Sequence, residues 1–451
     1  MVNMGSIFST ASAMIASRVE SLKQAESALI HFAVTRYNDS GNIHSNDSER
    51  MHTLQVFDTP ISDATIPLKR TNQKCQIQEH DSERLLDKNA FHIHGIKVIS
   101  NLYNRYKSTE ETKTEPPLVL LHGYMNGSLY FYRNLLGLAN HCFGGTVYAL
   151  DLLGWGLSSR PPFKLNPIEG ASYDDETHVA EQIFVESIEG WRKAHKLEKM
   201  TLGGHSMGAY IATAYVEKYP ERVDRLILIS PAGVPDDKDY DMDNLTRDAP
   251  LRFRIMFGLA NLLWNKNVTP ASIVRNMPEE RSLNMVKTYV ERRLPSIDCP
   301  DERAHLTRYL FMNSKLPGSG EYFLNKFLKP TSFALKPLMY RIPKLSVKNV
   351  SIIYGQNDWM DPNGGIRTKE LCDKMKSDGD ETVPDVNVWG VSNAGHLLML
   401  ENWKEFNNAM FAAAGKALLP TLPTPYQVEG SRGSLFFRAD GFQKRIKKQD
   451  S

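Results

Sequence analysis

The sequence predicts an α/β fold: a mostly parallel central sheet flanked by helices, with a helical lid inserted between two of its strands. Three observations predict it. Short, mostly apolar runs recur at Leu118–His122, Thr146–Leu150, Met200–Gly203, Arg225–Ser230, Asn349–Tyr354 and Val386–Trp389, the pattern of strands buried on both faces. Helical stretches separate them, and alternation of this kind gives a parallel sheet with right-handed crossovers. The rhythm then breaks between about Val234 and Ile342, where helices and loops run with no clear strand. Because the break interrupts the sheet, the segment is expected above it as an insertion.

In chain order, residues 1–88 form an N-terminal extension. Its first 19 residues hold no Asp or Glu and one basic residue, Arg18, a composition compatible with a mitochondrial presequence. The competing expectation is an ordinary helix continuing through Ala25–Phe32. Residues 38–88 are polar and are expected to be a loosely ordered lead-in. Phe91–Tyr103 then forms an opening hairpin or paired strands, beginning the first part of the core, 89–233. Asp174–Lys196 opens with acids and ends with bases, as the helix dipole favours. The lid spans 234–342 and the second part of the core 343–420. There Trp403–Leu419 is an apolar helix that closes the sheet. Residues 421–451 are a tail that turns basic at Lys444–Lys448.

Bulk properties exclude several function classes. Hydrophobic content is 41% and charged content 24%, enough apolar residue to bury a core. A formal net charge of +2 gives no basis for a nucleic-acid partner. The cysteines, Cys75, Cys142, Cys299 and Cys372, are scattered with no zinc-type spacing, so no metal site and no disulfide framework is expected. No apolar run approaches the ~18 residues of a membrane span.

The chemistry centres on Gly204-His205-Ser206-Met207-Gly208, a G-x-S-x-G between a strand-like run and the helical run Ala209–Lys218. This is the context of a nucleophile elbow, a tight turn that pushes Ser206 out of the backbone. A serine hydroxyl needs a base, and the base needs an orienting acid. Asp358, after the strand Asn349–Tyr354, and His396, after the strand Val386–Trp389, follow Ser206 in that order. Asp361 competes for the acid role but lies farther from the strand end. His205 is a supporting residue rather than the base. The oxyanion donors are expected to be the backbone N–H groups of Met207 and of Tyr124, which follows His122-Gly123 at the end of an apolar strand. Asp151–Pro161 reads as a glycine-rich turn. It lacks a Walker lysine and a G-x-G-x-x-G, which disfavours nucleotide binding.

Together the H-G, D-x-x-G-x-G-x-S, G-H-S-M-G, G-x-x-D-W-M-D and G-H motifs resemble the α/β-hydrolase superfamily over residues 90–420. Gly203–Gly208, Ser230-Pro231-Ala232-Gly233-Val234 and Asp358-Trp359-Met360-Asp361 resemble its lipid-acting branch. That branch holds fungal cardiolipin-specific deacylases, lysophospholipid acyltransferases, N-acyl-phospholipid hydrolases and non-catalytic lipase coactivators. The resemblance implies a cofactor-free serine hydrolase that removes a fatty acyl chain from a membrane phospholipid, with cardiolipin the favoured substrate. It would associate peripherally with membranes, in mitochondria or alternatively in cytoplasm or on lipid droplets. One alternative is a lysophosphatidate or lysophospholipid acyltransferase using acyl-CoA. The motif proposed for that activity is H-x-x-x-x-D, and here it runs from His396 to Glu401. The coactivators lack the nucleophilic serine, so Ser206 argues against a lipase-regulating, lipid-binding protein.

The lid composition fits a lipid substrate. Leu251–Trp264 mixes apolar, aromatic and basic residues, and Phe323, Phe327, Phe333, Leu338 and Tyr340 alternate with Lys326, Lys329 and Lys336. A surface of this kind dips into an anionic membrane. The alternative is that the same apolar faces pack on the core.

Overall fold

The run Leu118–Leu121 is buried at every position, and a strand with nothing exposed needs helices on both faces. The computed structural model describes residues 4–37, 52–62, 91–103, 115–161, 173–239, 251–330 and 332–428. It places this run (β3) inside a nine-stranded sheet. The other strands are β1 (His52–Ile61), β2 (Phe91–Ser100), β4 (Thr146–Leu150), β5 (Met200–His205), β6 (Val223–Ile229), β7 (Asn349–Gly355), β8 (Asp385–Val391) and β9 (Tyr426–Gln427). Their spatial order is β1-β2-β4-β3-β5-β6-β7-β8-β9. From β4 to β8 all pairings are parallel, and those of β1 with β2, β2 with β4 and β8 with β9 are antiparallel.

Three expectations are corrected at the edges. The polar lead-in contains β1, whose alternation is blurred because it is an edge strand and carries Pro60, a residue sheets tolerate at edges. Phe91–Tyr103 is not a hairpin. It is one strand ending at Ser100, paired with β1 on one side and β4 on the other. The closing helix stops at Ala413 rather than Leu419, ahead of Gly415 at φ 72°, a left-handed position that ends helices. Beyond it, Tyr426 and Gln427 add β9 to the edge of β8.

Helices cover both faces. On one lie α3 (Tyr173–Ala194), α4 (Met207–Lys218) and α10 (Pro362–Ser377), packing Phe184, Trp191, Tyr210 and Ile366 into one core. On the other lie α1 (Met4–Arg36), α2 (Leu135–His141) and α12 (Trp403–Ala413). Between β6 and β7 come α5 (Leu251–Asn265), α6 (Pro270–Asn276), α7 (Glu279–Arg293), α8 (Pro300–Lys315) and α9 (Leu324–Phe327). The short α11 (Leu398–Glu401) precedes α12. Among the described residues no helix is long and apolar enough to cross a membrane.

The two lid faces differ. Phe323, Phe327, Phe333 and Leu338 are buried in the fold rather than presented outward. Lys326 pairs with Glu176 and Lys329 with Asp237, so this half is mostly a packed wall, with Tyr340, 47% exposed, the exception. On α5, by contrast, Ile255, Leu259 and Leu262 are 64%, 54% and 51% exposed. Their i, i+4, i+7 spacing puts them on one face.

The helix α1 is part of the core. Leu22, Ala25, Leu29 and Ala33 form a buried stripe, and the helix packs against α8 of the lid. Its end meets a buried carboxylate: Glu302 Oε1 accepts from Tyr37 Oη (2.6 Å), Tyr132 Oη (2.5 Å) and Arg133 Nε (2.7 Å). Within the stripe, Glu26 reaches His94 of β2. His94 Nε2 donates to Glu26 Oε1 (3.0 Å) and Nδ1 to Asp58 Oδ1 (2.8 Å). Two carboxylate acceptors require two N–H groups, hence the imidazolium. Burial alone would lower the His94 pKa, but the Glu26 charge and the two carboxylate hydrogen bonds outweigh it and hold it well above the usual value.

A group whose pKa is raised on folding contributes stability that is complete below its unfolded value and lost as pH climbs through the folded one. His94→Gln strips the buried Glu26 of its cation and is expected to cost about 3–5 kcal/mol. In urea denaturation the gap from wild type should be widest just below about pH 6.5 and shrink toward alkaline pH. A gap that grows with rising pH contradicts the imidazolium assignment.

Candidate active site

Four loops meet at the carboxyl ends of the parallel strands, where open α/β sheets bind ligands. The turn from β5 to α4 carries Ser206 at φ 54°, ψ −116°. A non-glycine residue with this positive φ is strained by about 1–3 kcal/mol, and its neighbours hold it there. Ser206 N–H donates to the Ile229 carbonyl (2.9 Å), while its carbonyl accepts from Ala209 N–H (3.0 Å) and Ala232 N–H (3.3 Å). The turn is so tight that a Cβ on Gly204 would lie 2.3 Å from the Gly208 carbonyl oxygen. On Gly208 it would lie 2.5 Å from that of Leu121. Both glycines are there because backbone occupies the space of a side chain.

The β7 and β8 loops bring in the acid and the histidine. Gln356 N–H donates to the Val391 carbonyl (2.9 Å) and Asn357 N–H to that of Ala394 (2.8 Å), tying the loops together just before Asp358 and His396. His396 Nδ1 lies 3.1 Å from Asp358 Oδ1, and the carboxylate is fully buried. The same oxygen accepts from Met360 N–H at 3.0 Å. Asp361 does something else: it caps α10 by accepting from Asn363 N–H. The imidazole is flanked by the rings of His205 and Trp359, each with centroids 4.8 Å away, which sets it beside the elbow. With Nδ1 committed to Asp358, Nε2 is the nitrogen left for the serine.

The β3 loop supplies the other side. Gly123 lies against the nucleophile, and a Cβ there would come within 3.1 Å of Ser206 Cβ and 2.8 Å of His205 Nδ1. Tyr124 follows directly, so its amide is carried by the segment packed against Ser206. Met207, the first residue of α4, has an N–H with no helical carbonyl to bond. His122 is buried and holds this loop in shape. Its Nε2 accepts from Leu152 N–H (3.0 Å), which fixes the proton on Nδ1, and Nδ1 donates to the Gly123 carbonyl (2.7 Å). Burial lowers the His122 pKa and, still more, that of His205; both are neutral scaffolding.

Sequence reasoning missed how the histidine loop is fixed. Glu401 Oε2 accepts from Gly395 N–H (2.8 Å) and Oε1 from Leu397 N–H (3.1 Å), the two amides that bracket His396. His205 Nε2 donates to the His396 carbonyl (2.9 Å). The backbone of His396 is therefore clamped on both sides. Burial raises the Glu401 carboxyl above its usual range, against the pull of those amides. Both its oxygens are committed to backbone, the arrangement of a positioning residue.

A cavity of about 620 Å³ opens beside His396. Its wall includes Trp359, Phe333, Leu397 and Pro231, with Arg292 and Arg293 from the last turn of α7. Ser206 is not in that wall, so His396 is the boundary shared by cavity and elbow. The arginine pair carried no sequence signal beyond basic residues closing a helix.

The α/β-hydrolase fold family model matches residues 116–402. Among similar proteins, a probable 1-acylglycerol-3-phosphate O-acyltransferase of Oryza sativa is 33% identical over 316 residues, covering 68% of this chain and 69% of that protein. The human 1-acylglycerol-3-phosphate O-acyltransferase ABHD5 is 32% identical over 339 residues, 74% of this chain and 84% of its own length. Protein ECM18 of Saccharomyces cerevisiae is 25% identical, covering 71% of this chain and 76% of that protein.

Glu401→Ala should leave both bracketing amides without an acceptor and let His396 drift. Because misplacement of about 1 Å costs on the order of 100-fold in rate, kcat on a soluble p-nitrophenyl ester should fall about 10- to 100-fold with little change in KM. An unaltered kcat would remove Glu401 from the clamp.

Proposed function

Because the chain belongs to the α/β-hydrolase family, we propose that it is a serine acyl hydrolase that removes a fatty acyl chain from a membrane phospholipid through an acyl-enzyme on Ser206. The observation that carries this reading is the left-handed serine at the elbow beside a histidine whose Nδ1 faces a buried carboxylate at 3.1 Å. Asp358 accepts the His396 Nδ1–H, so Nε2 takes the Ser206 hydroxyl proton as Oγ attacks the ester carbonyl. The Tyr124 and Met207 amides receive the oxyanion. Collapse of the tetrahedral intermediate expels the lysolipid alkoxide, which takes the proton back from His396. Water, deprotonated by the same Nε2, then attacks the acyl-enzyme, and collapse frees the fatty acid and expels Ser206 Oγ, which takes the proton back from His396.

The relatives' names support a lipid ester as substrate. Cardiolipin and a mitochondrial location are the finer reading, and they rest on the motif resemblance and the N-terminal composition. Peripheral membrane association is supported by the exposed Ile255, Leu259 and Leu262 stripe of α5, with the exposed Arg254 beside it. No cofactor is invoked.

A second reading draws support from the relatives named 1-acylglycerol-3-phosphate O-acyltransferase. Acyl-CoA would load Ser206 and the hydroxyl of lysophosphatidate would replace water as acceptor. The two readings share the acyl-enzyme and differ only in the second nucleophile. The commitment of Glu401 to backbone amides favours water over a dedicated transfer role for the His396-to-Glu401 motif. A lipase-regulating protein without turnover needs no activated serine, and Ser206 argues against it.

Lipid profiling of mitochondrial membranes incubated with wild type should show loss of cardiolipin acyl chains, absent with Ser206→Ala; equal profiles sink the hydrolase. Labelled acyl-CoA and lysophosphatidate in the same assay report transfer. Vesicles containing anionic lipid should float wild type but not Ile255→Glu/Leu259→Glu. Undiminished flotation of that variant takes α5 out of the membrane contact.

A further inference from the structure

We propose that Arg292 and Arg293 form a headgroup site that binds the phosphate of the lipid whose ester is presented to Ser206. The inference rests on the phospholipid reading above and adds which residues recognise the headgroup.

Both arginines lie in the last turn of α7 and on the wall of the cavity that His396 borders. Among the described residues neither guanidinium forms an ion pair. Arg275 pairs with Glu321, Arg341 with Glu181 and Glu217, and Lys326 with Glu176. Arg281 and Lys287 earlier in α7 are exposed and, among the described residues, without an ion pair like Arg292 and Arg293, but only the latter two line the cavity. The two acids on the same wall are occupied. Glu401 holds the Gly395 and Leu397 amides, and Asp361 caps α10. Arg293 is near enough for its charge to act on Glu401, but both carboxylate oxygens already face N–H donors. Basic residues at a helix end offset the dipole; that accounts for their charge, not for their position on the wall of the cavity beside the histidine.

The chemistry of the wall is divided. Pro231, Pro235, Phe333, Trp359 and Leu397 offer an apolar surface, suited to acyl chains and glycerol carbons. The guanidiniums offer forked donors that match the oxygens of a phosphate. A neutral glyceride offers them only carbonyl and hydroxyl oxygens and no anion to pair with. A phosphomonoester and a phosphodiester both do, and a membrane surface presents the same phosphates in an array.

The test compares a short-chain lysophosphatidate, kept monomeric, with the monoacylglycerol that lacks its phosphate. Charge-assisted hydrogen bonds of this kind are worth about a 10- to 100-fold change in affinity. The preference for the phosphate-bearing lipid, as a ratio of kcat/KM values, should fall by that factor in Arg292→Gln/Arg293→Gln. The lysine pair Arg292→Lys/Arg293→Lys should recover part of it. Equal losses on both lipids, or none, overturn the site. Calorimetric titration of the same monomeric lipid into Ser206→Ala, with and without the arginine changes, reads the site without turnover. If wild type hydrolyses neither lipid, the hydrolase reading fails while a loss of binding in the arginine variant still upholds the site. A matching phosphodiester lysolipid separates the two headgroup classes, retention of the effect upholding a site that reads phosphate in either form. A variant that binds the monomeric lipid normally but no longer binds anionic vesicles shows a bilayer contact and overturns the cavity site.

Discussion

The close packing at the β5–α4 turn is the constraint on which the rest of the site depends. Ser206 takes a backbone conformation that costs energy, and it stays there because backbone hydrogen bonds to Ile229 of β6, to Ala232 just beyond it and to the first turn of α4 define it. Gly204 and Gly208 let the turn close on itself and on the Leu121 carbonyl, and Gly123 lets the β3 loop press against Ser206. The same contact that exposes Ser206 thus brings the β3 loop alongside it. One steric condition fixes two parts of the candidate site.

The histidine is placed by a second set of forces, mostly polar. The β7 and β8 loops are laced by amide-to-carbonyl bonds, and Glu401 and His205 grip the backbone on either side of the imidazole. His205 is buried and Glu401 partly so, and an unmade hydrogen bond away from water is costly, so the loop has few alternatives. The neutral state of His205 and His122 follows from the same burial and keeps positive charge away from the serine. His396 alone of the three faces both a carboxylate and the cavity, which sets it apart from the two buried histidines.

The lid is divided rather than uniform. Its α8 and the segment through Phe323, Phe327 and Phe333 are bound into the core, and Glu302 ties α8 to α1 and to the loop after β3. The exposed stripe of α5 stands outside that anchored part. Rigid walls around a reactive histidine and an apolar helix free to meet lipid are compatible demands when different lid helices meet them.

The chain order of Ser206, Asp358 and His396, the glycine spacing at the elbow and the apolar strands were legible in sequence, because each is a local requirement. A doubly buried strand must be apolar, and a crowded turn must be glycine. Asp358 and Asp361 were separable only weakly by distance from the strand end; the fold separates them because one faces the imidazole and the other caps a helix. Edge strand β1 was not legible, since exposure on one side erases its alternation. Glu401 was visible as a motif residue, but its grip on the amides flanking His396 depends on how α11 returns toward the loop. Arg292 and Arg293 were likewise an ordinary helix ending until the lid set them against the cavity. Residue identity alone carries the available chemistry, because reactive side chains and tight turns are local. Which carboxylates orient, cap or clamp and which lid face meets solvent follow from the folded arrangement, because those roles depend on neighbours far apart in the chain.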